Sequence, residues 1–411
     1  MILLGYLIFS SVTFPLMFRR DRLFGMIYGL LFIYSFFAIL GYLYYPGYSE
    51  SLNAFFGIRA GQIALNFVFI SMALLFAVNF LVYRKGPFLP GRLPRRALAV
   101  EIVGNPSAPW LLACIVVLFT IGMAIHWTDL SWYMAQEERL PLSLSVYLLL
   151  FKISVGLLIV SYVAVRENLP GATRLKPIAI VYLILFLVAA VKLGNRTDPT
   201  ALTVGLLFFE TSRRSLRPRT IVYGFLGIIV VIFCLNLIEY YRYDVVMAHT
   251  SVTERAIKND YFAPAHMLFA AIAYNFIDPG EVLRSNLSNA AILFNYPYLQ
   301  QTVTDLFNPG VATRSAGYAF FLLTEGYIAC GMLGPIYNTI VVTAFVRLWN
   351  ACAVTDNRIA NSLIRTLFAA MAVNICRGQS SYFVKVAYTF VIPVLIFSVL
   401  LLGIRVGRRA R

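Results

Sequence analysis

Charged residues are scarce in this sequence, and their scarcity excludes an ordinary soluble fold. Only 13% of the 411 residues are charged, whereas 60% are hydrophobic. The mean hydropathy is +0.78. Soluble domains carry roughly 25% charged residues. The composition therefore predicts an all-α, polytopic membrane protein.

Acidic residues, histidines and cysteines are also few, with 18 Asp and Glu, 3 His and 5 Cys. The sequence contains no CxxC pair, zinc signature, P-loop, G-x-S-x-G elbow or DxD pair, so disulfides, metal-assisted chemistry and nucleotide hydrolysis lack support. We therefore expect no metal and no cofactor. The net charge of +16 does not predict a nucleic-acid partner, because the basic residues cluster between apolar runs.

Apolar runs predict about eleven membrane-spanning helices. Of the 34 Lys and Arg residues, 21 lie in one alternating set of loops, which the positive-inside rule assigns to the cytoplasm. The N-terminus is then outside and the C-terminus cytoplasmic. The predicted spans are 2–18, 23–45, 63–83, 110–126, 142–165, 177–192, 199–212, 221–240, 325–346, 362–376 and 382–404.

One outward-facing loop, 241–324, is far longer than the others, and loops of that length usually carry function. Its apolar stretches predict short helices at the outer interface, some of them re-entrant. The chain thus divides into a transmembrane bundle of eight spans (1–240), this large outer loop (241–324), and C-terminal helices with a basic tail (325–411).

The turn between the sixth and seventh spans is the first candidate site. Both flanking runs are short, with about sixteen and about fourteen residues against the roughly twenty that a span needs. Asp198 and Pro199 predict the N-cap and first position of a helix, whose N–H groups attract anions. Lys192 and Arg196 add two cations. The turn therefore predicts a phosphate-binding site, and the alternative is a surface arginine that reaches the headgroups.

Four outward-facing arginines lie at ends of predicted spans: Arg196, Arg242, Arg314 and Arg377. If the spans bundle, these guanidinium groups converge near the outer leaflet, where arginine binds diphosphate oxygens in pairs. The alternative is that each arginine anchors its own helix at the interface.

Glu325 is the main candidate for acid–base chemistry, because it opens a predicted span in the sequence Thr-Glu-Gly-Tyr, where it would be partly desolvated. An ordinary acidic residue at a helix start, or an ion-pair partner, explains it equally well. His249 is the second candidate base, and His266 is a weaker one.

The Gly194-Asn195-Arg196 turn, the large late loop and the glycine-rich segment 324–334 resemble the Wzy-type oligosaccharide repeat-unit polymerases, the O-antigen polymerase family. The resemblance extends from Pro177 onward. It implies a fold like that of the C-type glycosyltransferases and a metal-independent, inverting transfer. Arg196 and Arg242 would hold the diphosphate leaving group.

The substrates implied by this resemblance are a glycan on undecaprenyl diphosphate as donor and a lipid-linked repeat unit as acceptor. The site would face outward from the bacterial inner membrane and serve lipopolysaccharide biosynthesis, with a chain-length-regulating co-polymerase as a further partner. The related O-antigen ligases use a late histidine, and no histidine follows His266 here, which favours a polymerase. A flippase or transporter of lipid-linked oligosaccharides and a structural scaffold are the other classes.

Overall fold

A computed structural model describes residues 2–44, 58–82, 99–130, 141–213, 265–274, 278–291, 299, 302 and 320–407. Within these ranges the chain is mostly helical, as the composition predicts. The elements in chain order are α1 (Ile2–Arg20), α2 (Arg22–Tyr44), α3 (Ile58–Phe76) with a π-helical continuation (Ala77–Val82), β1 (Ala99–Ile102), α4 (Ala108–Ile125), α5 (Leu142–Arg166), α6 (Ala172–Lys192), α7 (Thr197–Arg213), α8 (His266–Tyr274), α9 (Pro279–Ala291), α10 (Leu322–Cys330), a 3-10 turn (Gly331–Leu333), α11 (Gly334–Cys352), α12 (Arg358–Cys376), α13 (Tyr382–Val386), a π-helical turn (Ala387–Val391), α14 (Ile392–Leu402) and β2 (Ile404–Gly407).

Seven helical segments of the described ranges are long and apolar enough to cross a membrane, so the chain is a polytopic helical membrane protein. The predicted span 221–240 lies outside the described residues, and the total of about eleven spans stays a prediction. The seven segments are Ala60–Leu81, Ala108–Ile125, Leu142–Arg166, Ala172–Lys192, Leu322–Cys352, Arg358–Cys376 and Tyr382–Leu402.

The chain packs as two compact units, each assembled from separate stretches of sequence. The division into 1–240, 241–324 and 325–411 was predicted from membrane topology and not from packing, and it stays a prediction. Unit 1 contains Met1–Gly91, Ala248–Trp349 and Ala372–Lys385, and unit 2 contains Arg92–Met247, Asn350–Met371 and Val386–Arg411.

In unit 1, α10 and α11 do not continue as one straight helix. Gly331 has φ 56° and opens the 3-10 turn between them. The Asn338 side chain donates to the Leu323 carbonyl at 3.0 Å, although these residues would be about 22 Å apart along a straight helix. The chain therefore turns back, and α10, with 9 residues, crosses only about half of the apolar layer. The predicted span 325–346 lies within the candidate segment Leu322–Cys352, but the expectation that it forms one uninterrupted helix is wrong, because the helix breaks at Gly331.

Two glycines make this reversal sterically feasible. A Cβ atom on Gly334 would lie 2.5 Å from the backbone of Gly326, so the two helices approach backbone to backbone. A Cβ atom on Gly326 would lie 2.5 Å from the side-chain nitrogen of Asn338. Small residues permit this close approach in membrane helices, where packing replaces the hydrophobic driving force.

Unit 2 is organised around α5, which packs against α4, α6, α7 and α14. At one end of α5, Arg166 pairs with Glu210 at 2.8 Å, and Arg213 pairs with Glu167 at 3.0 Å. These two ion pairs bring the C-terminal ends of α5 and α7 together. The loop charges predicted that these two helix ends lie on the same side of the membrane. The assignment of that side to the cytoplasm stays a prediction.

A small antiparallel ribbon in unit 2 departs from the all-α fold that the composition predicts. Strand β1 pairs with β2, and Glu101 lies opposite Arg405 in the register. Opposite charges on facing positions stabilise such a pair. The apolar and basic patterns did not predict it, because each strand has only four residues.

Candidate functional site

The turn between α6 and α7, in unit 2, is built by a Schellman motif. Gly194 has φ 61°. Its N–H donates to the Val191 carbonyl at 3.0 Å, and the Asn195 N–H donates to the Ala190 carbonyl at 2.9 Å. This pair of hydrogen bonds satisfies the last carbonyls of α6 and is the reason that a glycine stands at this position.

Asn195 then caps the next helix. Its Oδ1 atom accepts hydrogen bonds from the N–H groups of Thr197 at 3.0 Å and Asp198 at 3.1 Å. Its Nδ2 group donates to Asp198 Oδ2 at 2.8 Å. The prediction of Asp198 as N-cap and Pro199 as first helical residue is therefore wrong, since the helix begins earlier. Two of the N–H groups expected to attract an anion are bonded to Asn195 instead.

Arg196 is buried in this turn, with 6% of its surface exposed. Lys192 behaves differently: it is exposed, and its Nζ atom lies 5.2 Å from the centre of the Trp127 ring, a cation–π contact. The expectation that both cations are sunk in an apolar setting therefore holds for Arg196 alone. Asp198 is also buried and lies outside the seven candidate spans. Burial raises the pKa of its carboxyl group, against the lowering effects of Lys152 and Asn195.

The first of the two runs flanking this turn is longer than the sequence suggested. Helix α6 has 21 residues because it starts at Ala172 and carries Pro177 inside it. The expectation that this run is too short to span is wrong, because the helix includes Pro177 and begins five residues before it. Helix α7, with 17 residues, remains shorter than a typical span.

Glu325, in unit 1, is fully buried, and its carboxylate is surrounded by donors. Oε1 accepts from Asn286 Nδ2 at 2.7 Å, from the Tyr337 hydroxyl at 2.5 Å and from Ser380 Oγ at 2.6 Å. Oε2 accepts from the Ser380 N–H at 2.5 Å. Four donors compensate the cost of removing a carboxylate from water.

A second layer of polar groups extends this network. Gln379 donates from Nε2 to Asn286 Oδ1 at 3.0 Å and to Ser381 Oγ at 2.9 Å, and its Oε1 atom accepts from the Leu299 N–H at 2.8 Å. The Ser381 N–H also donates to Asn286 Oδ1 at 3.2 Å. The network connects the turn after α12 with α9 and α10 through hydrogen bonds. The sequence analysis places α9 in the large outer loop and α10 at the start of the next span.

This geometry suits an anchor better than a base in contact with substrate. The carboxylate of Glu325 has no exposed surface, and its donors occupy the directions from which an acceptor hydroxyl would approach. The catalytic role predicted for Glu325 stays a prediction. The structure adds that Ser380 and Asn286 determine the position of its side chain.

The other predicted site residues are only partly placed. Arg242, His249 and Arg314 lie outside the described residues, and His266 is the first residue of α8. Arg377 is half-buried in unit 1, whereas Arg196 belongs to unit 2. The convergence of the four arginines therefore stays a prediction.

Sequence reasoning missed His126, which stands at the end of an apolar run. It is 8% exposed and follows the last residue of α4. Its Nδ1 atom lies 3.6 Å from Asp129 Oδ2. The spacing of His126, Trp127 and Asp129 just beyond a span was a usable signal, because histidine and aspartate three residues apart at a helix end face each other.

The class of protein is thus defined: a polytopic helical membrane protein with a buried arginine turn in one unit and a buried glutamate network in the other. The described residues contain no group of three His, Cys, Asp or Glu side chains that would hold a metal ion. No protein-family model, no curated protein and no solved structure matches this chain.

Proposed function

We propose that this chain is a glycosyltransferase that polymerises lipid-linked oligosaccharide repeat units at the outer face of the bacterial inner membrane. The donor is a glycan on undecaprenyl diphosphate and the acceptor is a lipid-linked repeat unit. The transfer is inverting and needs no metal ion. One observation carries the proposal, the burial of Arg196 in the turn between α6 and α7.

Burial makes this arginine suited to a diphosphate. Burying a guanidinium group costs free energy unless the group is paired and hydrogen-bonded, so buried arginines are uncommon in proteins. Arginine keeps its charge when desolvated and donates paired hydrogen bonds to phosphate oxygens. Departure of a lipid diphosphate develops negative charge, and a guanidinium fixed in a region of low dielectric constant stabilises that charge.

Three further arginines belong to the proposal. Arg242 is placed with Arg196 on the diphosphate by the family resemblance, and the diphosphate-binding roles of Arg314 and Arg377 stay predictions from their positions at span ends. An O-antigen ligase-type transferase would use the same diphosphate contacts and differ in its acceptor. The late histidine used by such ligases has no counterpart after His266, which supports the polymerase.

A transporter of lipid-linked oligosaccharides is the second candidate, and one observation in unit 1 favours it. The α10–α11 segment is a broken helix, and it carries the buried Glu325 on its short arm. Broken helices and buried carboxylates at membrane depth are common in transporters, where they bind ions or protons. A transporter would move the lipid-linked glycan without changing its length.

Glycan length therefore separates the two candidates. The purified chain is mixed with the lipid-linked oligosaccharide that accumulates in cells lacking it, and the products are resolved by size. We expect extension in the presence of EDTA, loss of extension in Arg196→Ala, and a large reduction in Arg196→Lys, because lysine cannot make the paired contact.

Arg213→Ala is the matched control, since Arg213 lies at the opposite end of α7 and pairs with Glu167. We expect it to extend glycans at the wild-type rate. Unchanged glycan length with the wild-type chain, or full extension by Arg196→Ala, would remove the proposal. Movement of the unextended glycan across a proteoliposome membrane would favour the transporter.

A further inference from the structure

A second group of polar side chains lies at the same end of unit 2 as the Arg196 turn. The end of α4 lies beside the end of α6, as the cation–π contact of 5.2 Å between Lys192 Nζ and the Trp127 ring shows. Arg196 follows Lys192 by four residues. At this end His126 places Nδ1 at 3.6 Å from Asp129 Oδ2. A carboxylate at Nδ1 holds the ring and leaves Nε2 to accept a proton, and such contacts often shorten when substrate binds.

Tyr147 provides an independent observation beside this histidine. It is 3% exposed, and its hydroxyl meets no hydrogen-bond partner among the described residues. Its ring centre lies 6.3 Å from that of His126. A buried hydroxyl without a partner costs free energy and calls for an explanation.

The neighbours of Tyr147 fix the position of its ring. A Cβ atom on Gly122 would lie 2.6 Å from the Tyr147 ring, so only glycine lets the ring lie against α4. Phe119 packs on it with ring centres 5.4 Å apart. Tyr182, another buried tyrosine against Phe119, is different, because its hydroxyl donates to Ser154 Oγ at 2.5 Å.

Trp127 adds a surface for a sugar ring. Its side chain is 42% exposed in spite of the contact with Lys192. An exposed indole face packs against the apolar face of a pyranose, and the cation beside it favours a ligand with anionic groups nearby. A membrane-interface anchor would also use a tryptophan and a lysine, but such an anchor explains neither the His–Asp pair nor the orphan hydroxyl of Tyr147.

We infer that His126, oriented by Asp129, is the general base of the transfer and that Tyr147 and Trp127 bind the acceptor sugar. This inference rests on the proposed function. The acceptor O–H bond breaks and its proton passes to His126 Nε2. The acceptor oxygen bonds to the anomeric carbon of the donor. The bond from that carbon to the diphosphate oxygen breaks, and its electron pair leaves with the lipid diphosphate beside Arg196.

The first test measures extension rates in the full-length purified chain, with the lipid-linked oligosaccharide extracted from cells lacking it. We expect His126→Ala to lower kcat by about 100-fold or more with little change in KM, as loss of a general base does. Added imidazole should restore part of the rate. His126→Gln, which keeps a polar group near Asp129, should be equally slow and should gain nothing from imidazole.

Asp129→Asn tests the positioning role without a risk of misfolding, because the Asp129 side chain is 47% exposed. We expect a fall in kcat of about tenfold at unchanged KM and unchanged Tm, since Asp129 acts through the ring of His126. A wild-type kcat in this variant would show that Asp129 does not orient the His126 ring for catalysis.

Tyr147→Phe and Tyr182→Phe form a matched pair of buried substitutions. Tyr147→Phe should raise KM for the acceptor and leave the Tm unchanged or higher, because its hydroxyl has no described protein partner to lose. Tyr182→Phe should lower the Tm and leave KM unchanged, because it removes the bond to Ser154. The opposite pattern would show that Tyr147 has only a structural role and would overturn the acceptor site.

The outcomes separate the inference from the function on which it rests. If Arg196→Ala abolishes extension while both His126 variants keep the wild-type kcat, the transferase stands and the inference falls. If the wild-type chain does not extend the glycan, both fall. Imidazole rescue of His126→Ala together with a slow Asp129→Asn variant supports the inference, since a structural defect would not respond to a small base.

Discussion

The Glu325 carboxylate accepts two hydrogen bonds from one residue, Ser380, through its hydroxyl at 2.6 Å and its backbone N–H at 2.5 Å. The two residues are 55 positions apart in the sequence, and both are buried. This double contact ties the turn after α12 to the short helix α10. It makes Glu325 the central acceptor of a network formed almost entirely by neutral donors.

Replacing Glu325 by Gln should destabilise unit 1. The amide presents N–H donors where the carboxylate accepts, so at least one of the groups on Asn286, Tyr337 or Ser380 loses its acceptor. We expect a loss of about 1–3 kcal/mol for each buried group left unpaired, measured as a lower Tm in detergent. Ser380→Ala, which keeps the backbone N–H, should lose less.

The same variant separates an anchor from a base. If Glu325 is an anchor, the folded fraction of Glu325→Gln should extend glycans at close to the wild-type kcat. A fully folded Glu325→Gln protein with no activity would support the catalytic role predicted from the sequence.

The reversal between α10 and α11 depends on glycine. Gly334→Ala should be more destabilising than Gly326→Ala, because its Cβ atom meets backbone at 2.5 Å whereas that of Gly326 meets the Asn338 side chain. Overpacking of this kind costs about 1–3 kcal/mol. Gly5→Ala in α1 is the control, since nothing lies within 4 Å of its Cβ position, and its Tm should not fall.

The cap of α7 can be tested in the same way. Asn195→Ala removes the acceptor for the N–H groups of Thr197 and Asp198 and should cost about 1 kcal/mol. Thr203→Ala, which removes only a hydroxyl bonded to the Pro199 carbonyl, should be nearly neutral. If both variants unfold at the wild-type temperature, the cap contributes nothing to stability.

Cysteine labelling can determine on which side of the membrane each loop lies, in a variant from which the five native cysteines have been removed. Thr128→Cys, beyond the end of α4, should react with an impermeant maleimide in intact spheroplasts. Arg174→Cys, at the start of α6, should react only after the membrane is opened. The two residues are exposed in the structure, so a reversed pattern would invert the predicted orientation.

The helices were predictable where apolar composition alone defines them. Scarcity of charge identified the membrane class, and long apolar runs located α4, α5 and α6 because a span must fill the apolar layer. Hydrophobic patterns did not predict the helix boundaries that depend on individual residues near the ends of a helix. Pro177 lies inside α6, and Asn195 caps α7 ahead of the more obvious Asp198. At the start of α7 the decisive hydrogen bonds are accepted by the Asn195 side chain, which composition does not reveal.

The candidate sites were half predictable for a similar reason. The sequence marked Arg196 and Glu325 because charge inside an apolar chain is conspicuous. It missed the donors around Glu325, since serine, asparagine and glutamine are common and Ser380 comes from a distant segment. It also missed His126, whose significance depends on the distance to Asp129 and on the unpartnered hydroxyl of Tyr147.

The half-length α10 has a consequence for how the protein is made. A nine-residue helix is too short to be inserted by the translocon as a span of its own. Glu325 is synthesised 55 residues before Ser380, so its carboxylate lacks two of its four donors until the turn after α12 has been made. Assembly of unit 1 is therefore completed late, because its last segment ends at Lys385. A chain truncated before Ser380 would keep a buried ionisable group without two of its hydrogen-bond donors.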